Sequence, residues 1–102
     1  MTATDALFAA TLGGARALGL DDQIGALAEG MQADLVVVGL DGAHQQPVTD
    51  PAQTLIFSSS GQDVRLTMVA GQEIYRNGNI TSANEPELQA QLRGVRQELE
   101  SV

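Results

Sequence analysis

Residues 64–78, VRLTMVAGQEIYRNG, carry the clearest fold signal in the chain. Apolar and polar residues alternate from Val64 to Met68, which is the period of a strand with one wet face. Ala70-Gly71 can turn this strand back on itself, and Asn77-Gly78 is a strong hairpin dipeptide. The pattern predicts two antiparallel strands, one near 64–70 and one near 72–76.

Two segments upstream of this hairpin also favour extended structure. Residues 33–39 contain Leu35-Val36-Val37-Val38 without polar alternation, which predicts a strand covered on both faces. The small apolar stretch Ile24–Gly30 predicts a short strand before a glycine turn. Asp41-Gly42 predicts a turn, and residues 44–49 are expected to form a loop because Pro47 restricts the residue before it.

The first of three predicted helices covers residues 4–19. Thr4 is its expected N-cap, Asp5 lies in the first turn, and Gly19 is placed to end it. Gly13-Gly14 weakens its interior, which we interpret as a place where another backbone approaches closely; a chance weakening is the alternative. The apolar residues recur at helical spacing: Phe8, Leu12, Ala15 and Leu18.

Two further helices have clear start signals. Asp50-Pro51 predicts a short helix over 51–57 that ends in the serines that follow. The last helix is expected over 84–102, with Asn84 as N-cap and Glu87 three residues later. Its apolar residues form a narrow seam suited to a partner helix or a sheet surface: Leu88, Leu92, Val95, Leu99 and Val102.

Length and charge exclude several classes of protein. A chain of 102 residues is too short for a (β/α)₈ barrel, which takes roughly 250 residues. The net charge of −8, with five arginines and no lysine, argues against binding to nucleic acid or to anionic membranes. There is no cysteine and no apolar run long enough to span a membrane, so we expect a soluble, cytoplasmic protein.

The residues that could carry chemistry do not form a recognisable set. His44 is the only histidine, and only Asp41 and Asp50 lie near it in sequence, so we interpret it as an exposed loop residue. Ser58-Ser59-Ser60 lacks a nucleophile-elbow motif and is expected to end a helix. Asp21-Asp22 and the Glu98/Glu100 pair are expected to be solvated. We therefore predict no catalytic, cofactor-binding or metal-binding residue in this chain.

Longer stretches resemble the carboxy-terminal end of the amidohydrolase superfamily. The stretches are ATLGGARALGL (10–20), Ile24-Gly25 and GMQADLVVV (30–38). QPVTDP (46–51), Leu55-Ile56-Phe57 and VAGQE (69–73) are similar to the branch of triazine hydrolases and 5′-methylthioadenosine/S-adenosylhomocysteine deaminases. The chain differs from the family pattern at Met31, Gly39 and Thr49, where lysine, aspartate and tyrosine are common.

The resemblance implies an α+β fold that is part of a larger enzyme. Residues 4–19 would be a late helix of a metal-bearing (β/α)₈ barrel that this chain does not contain. Residues 23–81 would be the carboxy-terminal portion of a composite β-sandwich, and 84–102 a terminal helix, all within a single domain over 1–102. The family's divalent metal, such as zinc or iron, would be held by residues upstream, so no cofactor is expected in this chain.

Two functions remain open at this point. The chain is either the carboxy-terminal fragment of a metal-dependent aminohydrolase that acts on C–N bonds of an adenine-type or other nitrogen heterocycle, or a free-standing structural or oligomerisation module derived from one. In both cases the chain alone is expected to be inactive. Its expected partners are a second copy of itself or the missing barrel, because the apolar residues of the first helix would lack their cover.

Overall fold

The computed structural model describes residues 1–101, and a four-stranded antiparallel sheet forms its centre. The strands lie side by side in chain order, and each pairs antiparallel with the next. With the helices that flank this sheet, the α+β prediction is confirmed. The strands are β1 (Leu35–Val38), β2 (Val64–Val69), β3 (Gln72–Arg76) and β4 (Asn79–Ile80).

Both predicted hairpin turns are confirmed. Ala70 and Gly71 have φ of 51° and 80°, and Asn77 and Gly78 have φ of 48° and 90°, which is the pattern of type I′ turns. An alanine rarely adopts positive φ. Here the carboxylate of Asp34 accepts the Ala70 N–H at 2.6 Å and helps to hold the turn.

Strand β1 lies at the edge of the sheet and pairs only with β2 among the described residues. The prediction of a strand near 33–39 is confirmed, but its predicted cover on both faces is wrong for this chain. Val36 and Val37 are both exposed because no other described element packs over them.

The N-terminal helical segment comprises α1 (Ala3–Phe8), a π-helical turn (Ala9–Gly13) and α2 (Gly14–Ala17). The predicted cap at Thr4 is wrong: Thr2 is the N-cap, because its hydroxyl accepts the Asp5 N–H while the Asp5 carboxylate accepts the Thr2 N–H. The predicted end is confirmed, with Gly19 at a φ of 73° after the last turn.

The close backbone approach predicted at Gly13-Gly14 does not occur at these two glycines but at nearby residues of the same helix. A Cβ at Gly13 or Gly14 would meet atoms of the same helix, namely Phe8 and a backbone oxygen one π-turn earlier. Gly25 is the residue whose backbone abuts the helix, since a Cβ there would lie 2.8 Å from the Ala15 Cβ.

The segment around Gly25 is a loop, so the predicted strand over Ile24–Gly30 is wrong. Gly25 and Gly30 both have positive φ, which interrupts an extended strand. Gln32 closes this loop by donating both its backbone N–H (2.7 Å) and its side-chain amide (3.1 Å) to Gln23.

Helices α3 (Pro51–Phe57) and α4 (Glu85–Glu100) begin where the sequence predicts. The Asp50 carboxylate accepts the Ala52 N–H, and the Asn84 side chain accepts the Glu87 N–H at 3.2 Å. Val102, the predicted last member of the α4 seam and end of the terminal helix, lies outside the described residues.

Two 3₁₀ turns complete the fold, at Ala43–Gln45 and Gly61–Asp63. The prediction of a loop over 44–49 is therefore wrong at its start, because His44 and Gln45 belong to the first 3₁₀ turn. This turn forms because the Gln45 side chain accepts the Gly42 N–H.

Burial is sparse across residues 1–101. Helix α1 packs against α3, and the buried residues are Ala3, Ala15, Gln45 and Thr54. The accessible surface is 7507 Å², whereas a folded monomer of this mass exposes about 5,500 Å². The radius of gyration of 17.7 Å likewise exceeds the roughly 13 Å expected for a compact chain of this length.

Candidate functional site

A polar cleft lies beside the start of β2, between the turn at 39–42 and the β3–β4 hairpin turn. It has a volume of about 410 Å³ and is open to solvent. The 3₁₀ turn at Gly61–Asp63 brings Asp63 to its floor, and β2 directs Arg65 into it. Asp41, Asp63, Arg65, Tyr75 and Asn77 line it.

Asp63 is the most enclosed charged group of the cleft, with 11% of its side chain exposed. Both of its carboxylate oxygens lie 2.9 Å from His44 Nε2, and one also accepts the Ser60 N–H at 2.8 Å. The hydrogen bond from His44, followed by that from the Ser60 backbone, lowers the pKa of Asp63 below its ordinary value. This carboxyl therefore stays ionised down to more acidic pH than a free aspartate.

Arg65 forms an ion pair with Asp41 across the mouth of the cleft. The hydrogen bond from the guanidinium lowers the pKa of Asp41, and the same contact raises the pKa of Arg65. A Cβ at Gly39 would overlap the Arg65 guanidinium. The Arg65 guanidinium therefore lies directly against the backbone at Gly39.

Gln45 fastens the 39–46 loop to the end of α3. Its amide nitrogen donates to the Gly39 carbonyl at 2.7 Å and to the Ser59 hydroxyl at 2.9 Å, and its oxygen accepts the Gly42 N–H. The Ser59 hydroxyl in turn donates to the Thr54 carbonyl at 2.8 Å. Every polar atom of this buried side chain is used, so Gln45 is a structural anchor for the cleft wall.

The arrangement lacks the parts of a hydrolytic centre. His44 faces a carboxylate, as a catalytic base does, but its partner Asp63 is held at Nε2 and no hydroxyl nucleophile is bonded to the ring among residues 1–101. Within the same residues no three histidine, cysteine or acidic side chains come together as a metal site. The side chains of residues 1–101 therefore offer no ligand set for the divalent metal that the resemblance implies, and no catalytic step is assigned to them.

The residues singled out from the sequence are dispersed. Asp41 lines the cleft and His44 contacts its Asp63. Asp50 instead caps α3, and the Asp21-Asp22 pair is exposed. Ser58 ends α3 as predicted, and Ser60 caps the next turn. Glu98 and Glu100 are exposed on α4.

Sequence reasoning missed Asp63, Arg65 and Gln45. One signal for Asp63 was present, because Ser60 and Asp63 have the spacing of a capping box. Nothing local indicated the pairings of His44 with Asp63 or of Asp41 with Arg65, which join residues 19 and 24 positions apart.

Apolar side chains are exposed on three other faces of the molecule. Phe8 and Leu18 lie on the N-terminal helical segment, and a second, mostly apolar hollow of about 450 Å³ lies against the sheet at Thr67, Ile74 and Ile80. The third face is the seam of α4: Leu88, Leu92, Val95 and Leu99. Among residues 1–101 no helix has the length and apolar character needed to cross a membrane.

An antiparallel meander with a helical segment at each end is shared with hydrolases that are several times longer. The chain has a TM-score of 0.89 and 36% identity to a zinc-bound adenosine deaminase from Xanthomonas campestris, over 99% of this chain and 23% of that one. It has a TM-score of 0.81 and 33% identity to the zinc complex of atrazine chlorohydrolase from Arthrobacter aurescens TC1, over 91% of this chain and 20% of that one.

Sequence comparison gives the family. The model of the Amidohydrolase family matches residues 1–74, so the chain belongs to the amidohydrolase family. It is 47% identical over 87 residues to the 5-methylthioadenosine/S-adenosylhomocysteine deaminase of Nitratidesulfovibrio vulgaris (strain Miyazaki F), covering 85% of this chain and 20% of the relative. It is 33% identical to the corresponding deaminase of Teredinibacter turnerae, covering 95% and 22%. The chain thus spans about a fifth of the length of these relatives.

Proposed function

We propose that this chain is the carboxy-terminal part of a metal-dependent aminohydrolase and contributes packing surfaces to the enzyme without supplying a catalytic group. The reaction of the whole enzyme is the hydrolytic deamination of an adenine-type base, in which water replaces the ring amino group and ammonia leaves. The observation that carries the proposal is the fit of 99% of this chain onto 23% of an adenosine deaminase chain at a TM-score of 0.89.

The large exposed surface of the chain supports the proposal that it supplies packing surfaces to a larger enzyme. It exceeds that of a compact monomer of equal mass by about 2,000 Å², and much of it lies on large apolar side chains. Phe8 and Leu18 are exposed on a helical segment that also contacts Gly25 and α3. In the proposal, that exposed side of the segment packs as a late helix on the (β/α)₈ barrel, where the metal and its ligands lie.

The sheet has two further features that fit a composite β-sandwich. Strand β1 has an unpaired edge among the described residues, and unpaired edges are places where another strand can add. The apolar hollow at Thr67, Ile74 and Ile80 leaves one region of the sheet without a covering layer. In the proposal, strands from the amino-terminal end of the same polypeptide supply both the missing pairing and the missing layer.

The alternative is a free-standing structural module derived from such an enzyme. The reading frame upstream of residue 1 discriminates between the two. An upstream barrel with a His-x-His motif and a terminal metal-binding aspartate supports the enzyme, whereas an in-frame stop directly before residue 1 supports the module.

A graft tests the proposal biochemically. The matched fifth of the Nitratidesulfovibrio vulgaris deaminase is replaced by this chain, and deamination of 5′-methylthioadenosine is followed by ammonia release. We expect the graft to be active, and the relative truncated before the matched segment to be inactive or insoluble. A graft that folds and binds metal as the relative does but shows no activity would refute the proposed role of this chain.

The isolated chain is the matching control for catalysis. We expect it to release no ammonia and to bind no stoichiometric transition metal, because His44 has no set of companion ligands within residues 1–101. Elemental analysis checks the second expectation. One equivalent of zinc or iron that is lost in His44→Ala would contradict it.

A further inference from the structure

The turn between β3 and β4 contains the one asparagine of this chain that precedes a glycine. The three asparagines are Asn77, Asn79 and Asn84, followed by glycine, isoleucine and glutamate. An asparagine can react with the backbone nitrogen of the next residue, because this nitrogen and the carboxamide carbon can close a small ring. A side chain on the next residue shields the nitrogen, and glycine has none. The sequence therefore singles out Asn77 for this reaction.

The backbone nitrogen of Gly78 is the nucleophile in this reaction, and the turn leaves it accessible. The β3–β4 ladder closes at the pair of Arg76 and Asn79, so both turn residues lie outside it. The Gly78 N–H forms no backbone hydrogen bond among residues 1–101, and a Cβ at Gly78 would meet nothing within 4 Å. Asn77 itself lines the polar cleft. Neither packing nor backbone pairing within the described residues ties up the nitrogen.

The other two asparagines are held in structures that oppose the same reaction. Asn79 lies in β4, and the nitrogen that follows it belongs to Ile80, whose branched side chain shields it. The Asn84 carboxamide oxygen accepts the Glu87 N–H at 3.2 Å, which holds that side chain over the start of α4. Conformation and sequence thus rank the three asparagines in the same order.

Ring closure requires the turn to open, because the Gly78 nitrogen must approach the Asn77 Cγ. Strand β4 is two residues long, so the pairing beyond the turn is short and opens at little cost. On its other side, the turn is held by the Asn77 N–H, which donates to the Arg65 carbonyl at 2.8 Å. This bond restrains the backbone before the Asn77 Cα and not the torsion angles after it, which are the ones that must change.

We propose that Asn77-Gly78 is a site of spontaneous covalent modification. The Gly78 nitrogen bonds to the Asn77 Cγ, the bond from Cγ to Nδ2 breaks, and the Gly78 proton leaves with the amide nitrogen as ammonia. Water then opens the cyclic imide at either of its carbonyl groups, which leaves aspartate or isoaspartate at position 77. Water is the sole co-reactant. The inference does not rest on the proposed function, because the reacting groups belong to two adjacent residues of this chain.

Both products change the polar cleft. A carboxylate at position 77 adds negative charge to a lining that already includes Asp41 and Asp63, and the Arg65 guanidinium in the same cleft attracts it. Isoaspartate also adds one carbon to the backbone path of the turn. Because a two-residue turn sets the register of its strands, isoaspartate disrupts the pairing of Arg76 with Asn79.

The test follows the three asparagines in one molecule. The full polypeptide that carries these residues is incubated at neutral pH well below its melting temperature, and samples taken over weeks are cleaved after arginine. One product ends at Arg93 and contains all three asparagines, so mass spectrometry compares them directly. We expect Asn77 to convert faster than Asn79 and Asn84 by about tenfold or more, and to yield both aspartate and isoaspartate.

Two glycine variants separate attack by the Gly78 nitrogen from loosening of the hairpin. Gly78→Ala should slow the conversion of Asn77 by about tenfold or more, because the new methyl group shields the nitrogen. Gly71→Ala is the matched control: Gly71 has a φ of +80° against +90° for Gly78, and nothing lies within 4 Å of a Cβ at either position. It adds similar backbone strain to the neighbouring turn and should leave the rate at Asn77 unchanged.

Three results overturn the proposal. The first is conversion at Asn77 that is no faster than at Asn79 and Asn84, a comparison that needs no variant and so does not depend on how the variants fold. The second is aspartate without isoaspartate, since direct attack by water on the carboxamide gives aspartate alone. The third is an equal rate at Asn77 in the two glycine variants. Peptide masses count modified chains and not substrate turnover, so none of these results bears on deamination by the graft.

Discussion

Helices α3 and α4 begin in the same way and differ in what they pack against. Each has a capping side chain followed by a proline in its first turn, Asp50 with Pro51 and Asn84 with Pro86. The seven residues of α3 include a buried threonine, Thr54, and pack against α1. The sixteen residues of α4 include no buried residue.

This difference shows that the start of a helix and its burial are determined by different residues. Capping is local, because a side chain satisfies backbone N–H groups two or three residues away, and it fixes where a helix begins. Burial depends on a second element that reaches the helix from elsewhere. The packed region, which comprises the N-terminal helical segment, the loop at Gly25, α3 and the 39–46 loop, should therefore lose stability on substitution, whereas α4 should tolerate change.

The largest loss is expected from Gly25→Ala in the packed region. The new methyl group would lie 2.8 Å from the Ala15 Cβ and 3.0 Å from the Leu12 Cα, and the φ of +102° is strained for any L side chain. We expect the free energy of unfolding to fall by about 2–4 kcal/mol, measured by urea denaturation.

Gly30→Ala is the matched control for this substitution. Gly30 has a φ of +84° but nothing within 4 Å of the position of a Cβ, so only backbone strain applies, about 1–2 kcal/mol. Equal losses for the two variants would show that Gly25 does not support the helix by close contact.

The next largest effect is expected from Gln45→Ala. Removing this buried amide leaves the Gly39 carbonyl and the Gly42 N–H without their partner, at a cost of about 2 kcal/mol. Gln46→Ala, its exposed neighbour with one hydrogen bond to the Leu40 carbonyl, should cost less than about 1 kcal/mol. Thermal denaturation of both variants checks the difference, and a larger loss for Gln46→Ala would contradict this account of the loop.

The elements that the sequence predicts well are those set by neighbouring residues. The I′ turn at Asn77-Gly78, the caps at Asp50 and Asn84 and the helix end at Gly19 each depend on two to four adjacent residues. The strand predicted over Ile24–Gly30 failed because its small apolar residues favour a strand, whereas Gly25 inside it adopts positive φ and bends the chain.

The polar cleft could not be predicted for a related reason. Gln45 among polar neighbours has the composition of an exposed loop, and its burial follows from the position of Ser59, 14 residues away. His44 and Asp63 likewise meet only because β1 and β2 pair and so bring the chain before and after α3 together. Motifs and spacing give the family and the local turns, whereas the side chains of the cleft are brought together by the sheet.

In α4, which has no buried residue, Gly94→Ala should stabilise the protein. No atom lies within 4 Å of the position of a Cβ at Gly94, and alanine loses less backbone entropy than glycine in a helix interior. We expect a gain of about 0.5–1 kcal/mol and higher helicity by circular dichroism. A loss of stability would mean that another element packs closely against Gly94 and would break the contrast with α3.

The smallest expected effect concerns Asp63, which lies outside the packed region but contacts its 39–46 loop through His44. Its hydrogen bonds from His44 and Ser60 lower its pKa in the folded state below the ordinary value of 3.8. A carboxyl with a depressed folded pKa stabilises the native state above the pKa of the unfolded chain, and that contribution is lost as the pH falls through the folded pKa.

The melting temperature of Asp63→Asn should therefore lie below that of the unchanged protein at neutral pH, and the two should converge at pH values below 3.8. Asp22→Asn removes the same charge from an exposed position and is the control for the change in net charge. If the difference in melting temperature between Asp63→Asn and the unchanged protein persisted unchanged into acid, the stabilisation by Asp63 would not depend on ionisation of its carboxyl group. The packing and hydrogen-bond geometry of the side chain would then account for it.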